Sequence, residues 1–115
     1  MEQLETFRQL GDETRLRALA LMADQGELCV CELVTALALS QPKISRHLAA
    51  LRDAGLVEAR RDAQWVFYRI NETLPHWQKQ AIEAALEGVS GEAALKQDKI
   101  KLDKMSNRPA RSTAA

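Results

Sequence analysis

At 115 residues the chain suits a single domain, and its 46% hydrophobic content is enough for one core. The formal net charge is zero, so no global field favours nucleic acid. No uncharged apolar stretch approaches the ~20 residues of a membrane span, and residues Met1 to Glu5 have no secretory character. A cytoplasmic protein without a membrane partner is expected, with its two cysteines reduced.

Leu4, Phe7 and Leu10 recur at helical spacing before Gly11, which predicts a short first helix. Asp12 is a suitable N-cap for a second, with Leu16, Leu19, Ala20 and Ala23 as its stripe and Asp24-Gln25-Gly26 as its end. Residues 27–30 are brief and β-tolerant. Residues 32–37 read as a third helix. Ser40 caps a fourth, with Pro42 in its first turn, Ile44, Leu48 and Leu51 as its buried face and Gly55 as its stop. Period-two runs at 56–60 and 65–70 predict a β-hairpin joined by Arg61-Asp62-Ala63-Gln64. After Pro75 a last helix covers about 76–86. Residues 92–105 extend as a frayed helix and 107–115 read as disordered. The expected division is a domain over 1–90 and a partly disordered extension over 91–115.

The zero net charge hides a partition along the chain. Residues 1–40 carry three basic and seven acidic side chains. Residues 41–70 carry Lys43, Arg46, Arg52, Arg60, Arg61 and Arg69 against Asp53, Glu58 and Asp62. A positive excess on one short stretch suits a groove-reading element, and a solvated basic face accounts for it equally well.

The order helix, tight turn, helix, hairpin separates the two. It is the plan of a winged helix-turn-helix: mainly α with a small β-hairpin, and the turn at Ala38-Leu39-Ser40 is suitably short. A fourth helix that buries Ile44, Leu48 and Leu51 presents Gln41, Lys43, Ser45, Arg46 and His47, with Ser40 at its start. Such side chains read base edges and bind phosphate from the N-terminal half of a recognition helix. Arg60 and Arg61 near the hairpin tip join them. One helix reads too little sequence, so a two-fold dimer placing two of them about one DNA turn (~34 Å) apart is expected. Trp77, Ile82 and Leu86 on the last helix, with Leu4 and Phe7 on the first, are the candidate dimer surface.

Cys29 and Cys31 stand immediately before or within the first helix of the motif. Free cysteines are commonly small buried hydrophobes. A disulfide across so short a loop is expected to be strained, and structural zinc wants four ligands, whereas His47 and His76 lie far off in sequence. A soft ion held by two thiolates is the third reading. Residues two apart share a face in extended backbone and diverge in a helix, so one ion reaches both sulfurs only where this segment is extended or unwound.

GELCVCEL at 26–33, followed by SQPKISRHLAALRDAGLVEARRDAQWVFYRI at 40–70, closely resembles the ArsR/SmtB family, in particular its arsenic-responsive members, and the likeness covers about residues 1–86. The resemblance implies a homodimeric repressor on double-stranded operator DNA of an arsenic-resistance operon. It implies release when arsenite or antimonite meets Cys29 and Cys31, and no required cofactor. Such members often carry a third cysteine where this chain has Val34. Inorganic arsenite here then takes its third bond elsewhere, while methylarsenite, with one bond to carbon, needs two sulfurs. The family's alternative zinc site on the last helix is not reproduced by His76, Glu83 and Glu87. A regulator sensing oxidants through the same cysteines is the alternative. A thiol enzyme is disfavoured, because no oxyanion cradle, Gly-rich phosphate loop or base beside either thiol is evident.

Overall fold

Asp12 caps the second helix as its chemistry predicts, its carboxylate accepting from the Arg15 backbone N–H at 2.9 Å. In the computed structural model, which describes residues 1–111, that helix is α2 (Glu13–Gln25), preceded by α1 (Gln3–Leu10). Gly26, at φ +89°, ends α2 in a conformation that side chains resist. The chain continues through β1 (Leu28–Cys29), α3 (Val30–Leu37), α4 (Gln41–Asp53), β2 (Val57–Asp62), β3 (Trp65–Ile70), α5 (His76–Val89) and α6 (Ala93–Asp103).

Leu19, Leu33, Leu48, Leu51 and Leu56 meet in one core, with Ile44 and Met22 beside them. Leu21 and Met22 complete the buried face of α2, and Ala23 is exposed. The α3–α4 turn is made by Ala38 in the left-handed region at φ 55°, a position where glycine is more usual. Gly55, at φ +80°, closes α4, and the Leu56 N–H reaches back to the Leu51 carbonyl.

Two differences from the predicted elements shape the site. The sheet has three antiparallel strands in the order β1-β3-β2, so the predicted hairpin gains an edge strand of two residues. Leu28 pairs with Tyr68 and Cys29 with Phe67. In addition, β2 runs on to Asp62, which leaves Ala63-Gln64 as the whole turn and moves Arg61 from the expected turn into the strand that already held Arg60.

The expected boundary at residue 90 is not a break in packing. α6 lies against α2 and α3, and Leu102 is fully buried in the same core as Leu19. Asp98, also buried, accepts two hydrogen bonds from Arg17, at 2.7 and 2.9 Å. Residues 107–111 lie against the body of the protein, with Pro109 buried; the remainder of the expected disorder, 112–115, lies outside the described residues. Among the described residues no helix is long and apolar enough to cross a membrane.

Candidate DNA-reading face and cysteine site

α4 turns Ile44, Leu48 and Leu51 inward and leaves Ser40, Gln41, Lys43 and Arg46 exposed at its start. Gln41 donates to the Ser45 hydroxyl at 2.7 Å, so the two form one polar unit. His47 is half-buried and turns towards α2: Arg15 donates to its Nδ1 at 3.3 Å and Asp12 lies 3.9 Å away. This ring is better placed to brace α4 on α2 than to read a base. Arg15 and Thr14 line a shallow groove with Lys43 and Arg46. The Arg15 guanidinium is itself engaged within the fold, donating to the Gln9 and Arg8 carbonyls at 3.0 and 3.2 Å.

The wing divides the two arginines that sequence reasoning grouped. Arg61 is exposed. Arg60 instead pairs with Glu27 at 2.5 Å and Asp62 at 3.2 Å and lies over the Phe67 ring, 5.1 Å from its centroid. The Arg60 guanidinium is thus engaged within the fold by two carboxylates and a ring.

Cys29 and Cys31 are joined by a disulfide, contrary to the expectation of free thiols. Cys29 is the N-cap of α3 with extended backbone (φ −83°, ψ 163°), and only Cys31 lies within the helix. Their Cα atoms are therefore 5.4 Å apart, inside the roughly 4.4–6.8 Å that such a bond spans. The sulfurs meet with α3 fully wound from Val30, so no turn has to be lost to bring them together. Cys29 is 1% exposed and Cys31 half-buried.

Glu32 organises this corner. It is 0% exposed, and its Oε1 accepts the Cys29 backbone N–H at 2.8 Å, the reciprocal half of a capping box. Burial alone would raise its pKa. Hydrogen bonds from Arg111, the Cys29 N–H and Arg108 outweigh that and hold the carboxyl below its ordinary value. Sequence reasoning missed all three side chains, Glu32, Arg108 and Arg111.

The candidate dimer residues also separate. Phe7 (54% exposed), Leu4 and Trp77 form an open apolar patch, with the Phe7 and Trp77 rings 6.3 Å apart. α1 places polar Thr6 and Gln9 inward, where Gln78 donates to the Thr6 hydroxyl at 2.9 Å. Ile82 is 3% exposed and, like Leu86, packs on the chain's own core.

A helix-turn-helix that bares basic and amide side chains, followed by a two-stranded wing, defines a winged helix DNA-binding protein. Residues 12–59 match the model of the bacterial regulatory protein arsR family. The chain is 48% identical over 109 residues to the arsenic resistance transcriptional regulator ArsR2 of Pseudomonas putida, covering 95% of this chain and 93% of that one. Among solved structures, HlyU from Vibrio cholerae superposes with a TM-score of 0.67 at 37% identity, over 77% of this chain and 92% of that one. The AntR antimony-specific transcriptional repressor superposes with 0.64 at 29% identity, over 77% and 78%. The chain belongs to the arsR family. It is a DNA-binding transcriptional regulator rather than an enzyme.

Proposed function

We propose that the chain is a metalloid-responsive repressor that binds the operator of an arsenic-resistance operon as a homodimer and leaves it when trivalent arsenic or antimony bonds to Cys29 and Cys31. The observation that carries this reading is the meeting of two sulfurs at the start of α3, one of them, Cys29, on a strand of the wing sheet. Two soft donors on one face suit a thiophilic ion.

In the dithiol form, methylarsenite reacts without any redox change. Two As–O bonds break, two As–S bonds form, and the two thiol protons leave with the hydroxyls as two waters. Inorganic arsenite reacts in the same way and keeps one hydroxyl. The disulfide itself must first receive two electrons and two protons from a thiol reductant.

Coupling follows from position. Cys29 pairs with Phe67 of β3, and Cys31 starts the helix whose Leu33 and Leu37 lie in the core with Ile44 and Leu48 of α4. An ion that shifts either sulfur biases both the wing and the recognition helix. By linkage the ion and DNA weaken each other equally, typically by ~1–3 kcal/mol. Leu4, Phe7 and Trp77 are the surface on which the second copy docks, and Ser40, Gln41, Lys43, Arg46 and Arg61 are the DNA-facing side chains.

The joined sulfurs favour a second reading, in which an oxidant takes two electrons from the pair and the disulfide is the signal. A mobility shift on operator DNA under full reduction separates the two. Release by arsenite, antimonite or methylarsenite, lost in Cys29→Ser and Cys31→Ser, supports the metalloid reading. Release by peroxide alone, reversed by a thiol reductant, supports the other.

A further inference from the structure

The tail of the chain ends on the cysteine site. Beyond α6, Arg108 donates from Nε to Glu32 Oε2 at 2.5 Å, and Arg111 donates from Nη2 to Glu32 Oε1 at 2.6 Å. The same two side chains hold the loop that precedes the cysteines. Arg108 reaches the Gln25 side chain at 3.4 Å, and Arg111 reaches the Glu27 carbonyl at 3.2 Å. Residues 28–31 are therefore bracketed on both sides by guanidiniums from a segment more than seventy residues away. The Arg111 guanidinium also lies 4.5 Å from the centre of the Phe67 ring, the sheet partner of Cys29.

Each contact has a physical reason. A carboxylate removed from water demands compensating charge and hydrogen bonds, and Glu32 receives both from the two arginines while its Oε1 also fixes the Cys29 amide. Arginine suits this better than lysine, because its planar fork serves a carboxylate and a neighbouring acceptor together. Arg108 and Arg111 remain about 30% exposed, so the segment runs along the surface while its guanidiniums reach inward to Glu32.

We propose that residues 104–111 are a strap on the thiol site, with Arg108 and Arg111 as positioning residues that act through Glu32 to hold Cys29 and Cys31 in the geometry a two-sulfur ligand needs. The strap rests on the reading of the cysteine pair as the inducer site, and it names a regulatory element within it. Groups that orient metal ligands from outside commonly govern affinity without touching the ion, and the strap stands in that relation to the sulfurs.

The test uses the full-length protein under reduction, in three forms: wild type, Arg108→Ala/Arg111→Ala and Arg108→Lys/Arg111→Lys. Methylarsenite affinity is read by titration calorimetry, operator affinity without inducer by fluorescence anisotropy, and Cys29 exposure by the rate of iodoacetamide alkylation resolved by mass spectrometry. The double alanine variant is expected to bind methylarsenite about tenfold more weakly, as loss of such supporting groups does elsewhere. Its operator affinity should stay near wild type and its Cys29 should alkylate several-fold faster. The lysine variant should recover part of the loss in affinity. Unchanged methylarsenite affinity and alkylation in the alanine variant would overturn the strap, as would an equal loss of operator and methylarsenite affinity. If the double variant does not fold, Arg108→Ala alone carries the test: an intermediate loss supports the strap and none overturns it. Should wild type bind no trivalent arsenical, the inducer reading fails by itself. The alkylation rate then decides on the strap, faster supporting it and unchanged overturning it.

Discussion

Arg17 and Asp98, 81 residues apart in sequence, meet through two hydrogen bonds, and Arg17 also donates to the Leu37 carbonyl at 3.1 Å. One guanidinium thus joins α2, the end of α3 and α6. Asp98→Ala leaves Arg17 largely buried without its counter-charge. A loss of about 2–3 kcal/mol is expected in chemical denaturation at fixed protein concentration. A loss below half a kcal/mol would mean that α6 adds little to the fold.

Lys43 and Arg46 stand exposed on the half of α4 that enters the groove in winged helix proteins. Arg46→Ala should cost roughly 1–3 kcal/mol of operator affinity if it reads a base, and a residue on phosphate should instead lower the salt slope by about one. Anisotropy titrations at several salt concentrations distinguish these outcomes. Unaltered binding in a folded double variant would remove α4 from the reading role.

Arg60 and Arg61 are neighbours with opposite expected phenotypes. Arg61→Ala should weaken specific and non-specific DNA alike, because a wing arginine meets backbone. Arg60→Ala should leave the salt dependence of DNA binding in place and destabilise the wing, since it loses Glu27, Asp62 and the Phe67 face together. Paired salt titrations and thermal melts of the two variants check this.

Phe7→Glu places a charge on an open apolar patch, so monomers with native helix content are expected by sedimentation velocity and circular dichroism. Ile82→Glu would bury the same charge in the protomer core and should cost several kcal/mol, with loss of fold rather than clean dissociation. Clean monomers from Ile82→Glu would contradict its burial.

Val34 follows Cys31 by three residues on α3, so both lie near one face of that helix. Val34→Cys should tighten inorganic arsenite by offering a third thiolate, while methylarsenite changes little. Calorimetry with each arsenical on reduced protein makes the comparison. Equal gains for both would mean that the third sulfur acts other than by coordination.

Elements with a local chemical signature were legible in the sequence. Asp12, Pro42 and Gly55 mark their helix ends through caps and fixed backbone angles, which a neighbouring residue can reveal. β1 was legible only as a β-tolerant stretch and its pairing was not, because two residues carry no period and its partners, Phe67 and Tyr68, arrive from far along the chain. The burial of Ile82 was not legible either, because an apolar stripe does not distinguish a chain's own core from a partner's surface. The arginines on Glu32 were invisible for a similar reason: they sit in a segment whose composition reads as disorder, and their acceptor lies 76 and 79 residues away.

The inward placement of Thr6 and Gln9 on α1, with Phe7 facing out, bears on how firmly that helix is held. Among the described residues the Phe7–Trp77 pair stays open to water, and Gln9 keeps a buried side-chain oxygen without a hydrogen-bond partner. On the reading of α1 and Trp77 as a dimer surface, that cover comes from a second copy, so the resistance of α1 to unfolding should rise with protein concentration.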